Sequence, residues 1–152
     1  MPKNYIEKYL SDSDLDEIVK NISRAESKTS GEIRLSIKTK RGYREKGITP
    51  RELAIAEFHN LEMHKTKDKT GVLFFILFDE HKFEIIADVG INSKIEDSEW
   101  ETFSEKIAGY FKQENYTEGI KYVIDKIGER LTVEFPIQID DKNELSNEVM
   151  IS

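Results

Sequence analysis

The sequence predicts an α/β fold: a small mixed β-sheet with helices on both of its faces. Three observations carry that prediction. Val72 to Phe78 is an unbroken apolar run, as expected of a central strand covered on each side. The segment GEIRLSIKTK alternates instead, with Ile33, Leu35 and Ile37 on one face and Glu32, Arg34, Ser36 and Lys38 on the other, which places that strand near an edge or along a cleft. A helix-patterned segment separates the two, and a strand, crossover helix and strand make a right-handed parallel pair. The tight turn Asp79-Glu80-His81-Lys82 then sends a third strand, Phe83 to Val89, back antiparallel, so the sheet is mixed.

About four main helices surround these strands. Tyr5, Ile6, Tyr9 and Leu10 suggest a short amphipathic arm at the start. The first helix follows, capped by Ser11 or Ser13 and acidic in its first turn, with Leu15, Ile18, Val19, Ile22 and Ala25 on one stripe. Thr29 to Gly31 ends it. The crossover helix opens at Thr49-Pro50-Arg51-Glu52, a capping box with proline at the first helical position. Ala54, Phe58 and Leu61 form its inner stripe. A third helix is expected over EDSEWETFSEKIAGYF, with Trp100, Phe103, Ile107, Tyr110 and Phe111 inward. A fourth runs from about Thr117 to Leu131, with Ile120, Val123, Ile124, Ile127 and Leu131 at helical spacing. Residues 1–136 read as one domain. Residues 137–152 read as an acidic tail that adds a short strand or stays disordered.

Composition excludes several functions. The net charge of -7 argues against nucleic acid as a partner, because phosphate demands a basic face. The chain has no cysteine, so thiol catalysis and zinc-thiolate sites are excluded. Its beginning, MPKNYIEKYLSDSD, lacks the apolar stretch of a signal peptide, and no apolar run reaches the roughly 20 residues of a membrane helix. The expectation is a cytoplasmic protein with no membrane span.

The topology brings acids together. The start of strand one, the start of strand two and the end of strand three share one end of the sheet. Glu32 stands at the first, Asp68 just before the second and Asp88 at the third. Glu96 and Asp97, entering the third helix, can approach the same end, and Asn92 and loop carbonyls could add oxygens. Calcium and magnesium prefer such hard oxygen donors. The alternative is that these acids are ordinary turn formers, neutralised by Lys65, Lys67 and Lys69. Ligands of open α/β sheets usually bind at the other end, which here carries Lys38, Lys40 and Arg41 with Asp79, Glu80 and His81 and reads as a solvated loop and hairpin tip. His59 and His64 are five apart and do not share a helix face as an i, i+4 metal pair would. Arg34 is expected to pair with Glu84 across the polar faces. No phosphate-binding glycine loop or nucleophile elbow is present.

The stretches TSGEIRLSI, MHKTKDKTGVLFFILFDEHKFEIIADVGIN and YFKQENYTEGIKYVIDKI resemble the TPM domain. That family is named for a thylakoid lumen protein, a photosystem II repair protein and a nematode receptor modulator. The resemblance runs from about Ser11 to Pro136. Its features are an acid and a glycine before the apolar strand (Asp68, Gly71), an acid two before a glycine after the next strand (Asp88, Gly90), and Tyr116 with Gly119 between the last helices. It implies a three-layer α/β/α sandwich, a divalent-cation site built from acids, and in the plant members an acid phosphatase activity. Many members continue Gly-Tyr-Gly-Leu-Glu where this chain has Gly90-Ile91-Asn92-Ser93-Lys94. A ligand role at the last position is therefore lost. The expected function is binding of calcium or magnesium through Asp68 and Asp88, with Glu32 or Asp97 as further ligands. The alternatives are metal-dependent hydrolysis of phosphomonoesters, for which no catalytic residue is assigned, and a non-enzymatic module that docks a protein partner.

Overall fold

The computed structural model describes residues 6–137 and 149–152. Helix α1 spans Asp12–Glu26, strand β1 Glu32–Lys38, α2 Pro50–Asn60, β2 Gly71–Leu77 and β3 Lys82–Ala87. A one-turn helix α3 follows at Val89–Asn92, then α4 at Asp97–Lys112, α5 at Tyr116–Glu134 and a two-residue strand β4 at Met150–Ile151. The sheet order is β3-β2-β1-β4. As expected, β1 and β2 are parallel and β3 is antiparallel to β2. Helices cover both faces, giving an α/β/α sandwich.

All seven residues of β2 are buried. Val72, Phe74 and Ile76 enter the larger core, with Ile18 and Ile22 of α1, Ile107 of α4 and Ile120 to Leu131 of α5. Leu73, Phe75 and Leu77 enter the smaller one, with Leu53, Ala54 and Phe58 of α2. Burying each such side chain is worth about 1.5–3 kcal/mol. Both predicted caps form: Ser11 and Asp14 make a capping box on α1, and Thr49 and Glu52 make one on α2.

Some expectations change. β3 ends at Ala87, two residues early, because the Asp88 side chain caps α3, a helix absent from the periodicity reading. The alternating face of β1 is not solvated: Glu32, Arg34 and Ser36 are all buried, and the Ser36 hydroxyl donates to Glu57 of α2 at 2.5 Å. Arg34 does not pair with Glu84, because β2 lies between their strands; Glu84 pairs instead with Arg51 of α2 at 3.3 Å. Met150 and Ile151 do add a short strand beside β1, whereas 138–148 and Tyr5 of the opening arm lie outside the described residues.

One carboxyl group meets the start of β1 on the side where β4 lies. Among the described residues, β4 pairs there with Ser36 and Ile37 only. The Ile33 N–H points there and donates to Glu26 Oε2 at 2.9 Å. Glu26 is pushed up to about 9, first by burial and then by the hydrogen bond it shares with Glu32; the Ile33 N–H opposes the rise. The folded protein thus holds a proton that the unfolded chain releases above its ordinary value of 4.5. That contribution to stability is present at low pH and is lost as pH rises from about 4.5 towards 9. Glu26→Gln mimics the protonated acid. Urea unfolding at pH 5, 7 and 9 should show wild type losing stability relative to Glu26→Gln as pH rises; parallel profiles would remove the shared proton from this account.

Candidate metal centre

The strand pairing lays Glu32, Gly71 and Asp88 in one row. Glu32 is in register with Gly71, and the Asp88 N–H donates to the Gly71 carbonyl at 2.9 Å. Residues paired across a sheet share a face, so Glu32 and Asp88 flank a position that has no side chain. The Met63 carbonyl fills that space, 2.9 Å from where a Cβ on Gly71 would stand. Glycine at 71 is therefore the price of a close backbone approach.

The loop before β2 folds over the end of the sheet. Lys69 takes a left-handed conformation (φ 57°), and its Nζ donates to the His64 carbonyl at 2.6 Å. Thr66 Oγ1 accepts from the Thr70 N–H at 3.2 Å, closing the loop from inside. Its outer turn rests on α3. A Cβ on Gly90 would lie 2.5 Å from the Lys69 carbonyl oxygen and closer still to that of Asp68. Two main-chain carbonyls thus press on the turn that follows Asp88.

Asp88 is the centre of this arrangement. Its Oδ1 accepts the Val89 N–H at 2.8 Å, which starts α3. Its other oxygen, Oδ2, is buried and has no hydrogen-bond partner among the described residues. A buried carboxylate oxygen without a partner is costly unless a cation or donor meets it. Asp68 is exposed. Two of the three lysines expected to neutralise it make other contacts: Lys65 pairs with Glu62 at 3.1 Å, and Lys69 takes the His64 carbonyl. The hydroxyls nearby are also occupied, as Ser93 Oγ donates to the Gly90 carbonyl at 3.1 Å.

The four candidate acids do not form one side-chain cluster. Among the described residues, no three His, Asp or Glu side chains stand together as a metal-holding group. Glu32 faces Glu26, and Asp97 lies on the first turn of α4, lining a groove with Ala87 and Asn92. What the structure does bring to the turn after Asp88 is the pair of carbonyls of Asp68 and Lys69, both packed on Gly90. Loop carbonyls were expected at this end, but residue types cannot say which ones; the glycine two after Asp88 marks where they close.

Other features of the sequence have structural roles. α2 ends at Asn60, and Glu62 turns left-handed, so His59 and His64 stack with ring centroids 4.8 Å apart. Tyr116 packs on Tyr9, Phe78 and Phe111, and Gly119 lets α5 approach Tyr110 and Phe111. At the opposite end of the sheet, Arg41 grips Glu80 through two bonds of 2.6 and 2.9 Å and holds its carboxyl below the usual range. Lys38 pairs with Glu45 at 3.0 Å. That end is an ion-paired loop.

The close approach at Gly90 gives a test. In Gly90→Ala the new methyl group collides with main-chain carbonyls, which cannot swing away as a side chain can. The loop or α3 must move, at a cost of about 1–3 kcal/mol. Urea denaturation should show this loss; an unchanged midpoint would mean the loop does not rest on α3.

The comparisons with known proteins agree with this architecture. The TPM domain family model matches residues 5–130. The solution structure of BA42 protein from the psychrophilic bacterium Bizionia argentinensis is 35% identical, covers 97% of this chain and 98% of its own, and superposes with a TM-score of 0.86. The N-terminal domain of a P. gingivalis protein is similar in fold alone, at 14% identity and a TM-score of 0.68, covering 84% of this chain and 79% of that one. No functionally curated protein matches the sequence. Among the described residues, no helix is long and apolar enough to cross a membrane. With its family model matched over most of its length and its sandwich shared with BA42, the chain belongs to the TPM domain family.

Proposed function

We propose that the protein binds a divalent cation, calcium or magnesium, at the end of the sheet where Asp88 meets the Asp68–Lys69 loop. The observation that carries this is Asp88 Oδ2, a buried carboxylate oxygen without a partner among the described residues, two residues before the glycine on which the carbonyls of Asp68 and Lys69 close. All-oxygen donors suit a hard cation. Asp88 and the carbonyls of Asp68 and Lys69 would hold it, with the Asp68 carboxylate and water completing the shell. Glu32, already hydrogen-bonded to Glu26, is a less direct contributor, and Asp97 would need to turn from its groove.

When bound, such a cation can polarise a phosphoryl oxygen and offset the charge of a phosphomonoester. The chain's own residues supply the binding half of that chemistry. The hydroxyls of Thr66 and Ser93 are spent on main-chain bonds, so the site reads as ligation that orders the loop rather than nucleophilic catalysis. A cation-ordered docking module is the reading we favour over a metal-dependent phosphatase. Release of phosphate from a generic phosphomonoester by the pure protein with magnesium or calcium, lost in Asp88→Asn, would reverse that preference.

Binding only to the folded state stabilises it by about 2.7 kcal/mol at a hundredfold excess over Kd. Thermal unfolding should therefore shift upward with calcium or magnesium. Asp88→Asn keeps the oxygen that caps α3 but removes the charge. It should fold and lose the shift. An equal shift in wild type and Asp88→Asn would place the cation elsewhere.

A further inference from the structure

We propose that the free edge of β3, with the groove beside it, is a strand-addition site for an extended basic segment of a partner protein. β3 is the last strand of the sheet on its side. The bond from the Asp88 N–H to the Gly71 carbonyl fixes the alternation of the ladder. Asp88, Ile86, Glu84 and Lys82 turn their main-chain groups inward to β2, and Phe83, Ile85 and Ala87 turn theirs outward. Among the described residues those outward N–H and C=O groups make no hydrogen bond. A row of such groups is a template for another strand. No proline or bulge blunts it, and the strand is rich in β-formers (Phe83, Ile85, Ile86).

The neighbourhood of the edge says what kind of strand fits. A groove of about 390 Å³ runs between Glu84, Ile85 and Ala87 of β3 and Asp97, Trp100 and Glu101 of α4. Asp97 and Glu101 lie one turn apart on α4, exposed, and neither pairs with a cation among the described residues. On the other flank Arg51 already neutralises Glu84 at 3.3 Å. The groove is therefore acidic on its α4 side. In an added strand every second side chain points to that side, so lysine or arginine at alternate positions meets Asp97 and Glu101. A second copy of this chain fits poorly, because it brings the same carboxylates to the seam and like charges oppose pairing.

The test uses the full chain in EDTA, which separates this site from the proposed cation site. The probe is a decapeptide of alternating lysine and valine, and the control replaces lysine by glutamate. Both are titrated into labelled protein and followed by NMR. The lysine peptide should shift the amides of Phe83, Ile85 and Ala87 saturably and slow their hydrogen exchange, and the glutamate peptide should not. Ile85→Pro removes an outward N–H but no ladder bond, and should weaken binding by about tenfold or more. Replacing Asp97 and Glu101 together by lysine, a change confined to the helix surface, should reverse the preference between the peptides. Equal binding of both peptides, shifts confined to another surface, or affinity unaffected by Ile85→Pro and by the charge reversal would each overturn the proposal. So would concentration-dependent dimerisation through these same amides, which would make a second copy the occupant.

Discussion

Burial of β2 on both faces fixes the rest of the molecule. A strand whose seven residues are all buried must have helices above and below and a strand on each side, since its main-chain groups have no water to bond. β1 supplies the parallel neighbour and β3 the antiparallel one. That combination sends the entry to β2 and the exit of β3 to the same end of the sheet. The meeting of Asp88 with the Asp68–Lys69 loop is thus a consequence of topology rather than of local sequence. It also leaves β3 as an outer strand, with its far side open.

The backbone does more at this end than the side chains. Gly71 admits the Met63 carbonyl, and Gly90 admits those of Asp68 and Lys69. Two glycines permit three carbonyl approaches, and Asp88, two residues before Gly90, carries a buried carboxylate oxygen that no described residue satisfies. Converging oxygens repel one another unless a donor or cation stands among them. A loop built in this way is expected to be ordered by what it binds, which connects the local geometry to a docking role.

Much of this was legible in the sequence. The apolar run of β2, the alternation of β1, the cap at Ser11 or Ser13 and the capping box at Thr49 gave the layers and the parallel pair, because each rests on local chemistry. What could not be read lay in tertiary detail. The polar face of β1 is buried because α2 lies over it and Ser36 reaches Glu57. The Glu26–Glu32 contact joins two elements that no periodicity connects. Asp88 was identified from its place at the end of the third strand, but its role in capping α3 was hidden, since a one-turn helix has no period to detect. The site itself was half legible: the carboxylates were visible as residue types and loop carbonyls were expected, whereas the identity of the carbonyls that close on Gly90 was not. Topology brought Glu32 and Asp97 to the same end as further ligands, and only the structure shows that Glu32 faces Glu26 and that Asp97 lines a separate groove.

The account turns on whether a cation meets Asp88 where the two loops touch. A titration of calcium or magnesium into isotopically labelled protein, followed residue by residue by NMR, addresses that most directly. The account predicts saturable shifts concentrated in the amides of Asp68 to Gly71 and Asp88 to Asn92, with those near Arg41 and Glu80 unmoved. Silence in both loops, or shifts centred instead on Asp97 and Glu101, would contradict it.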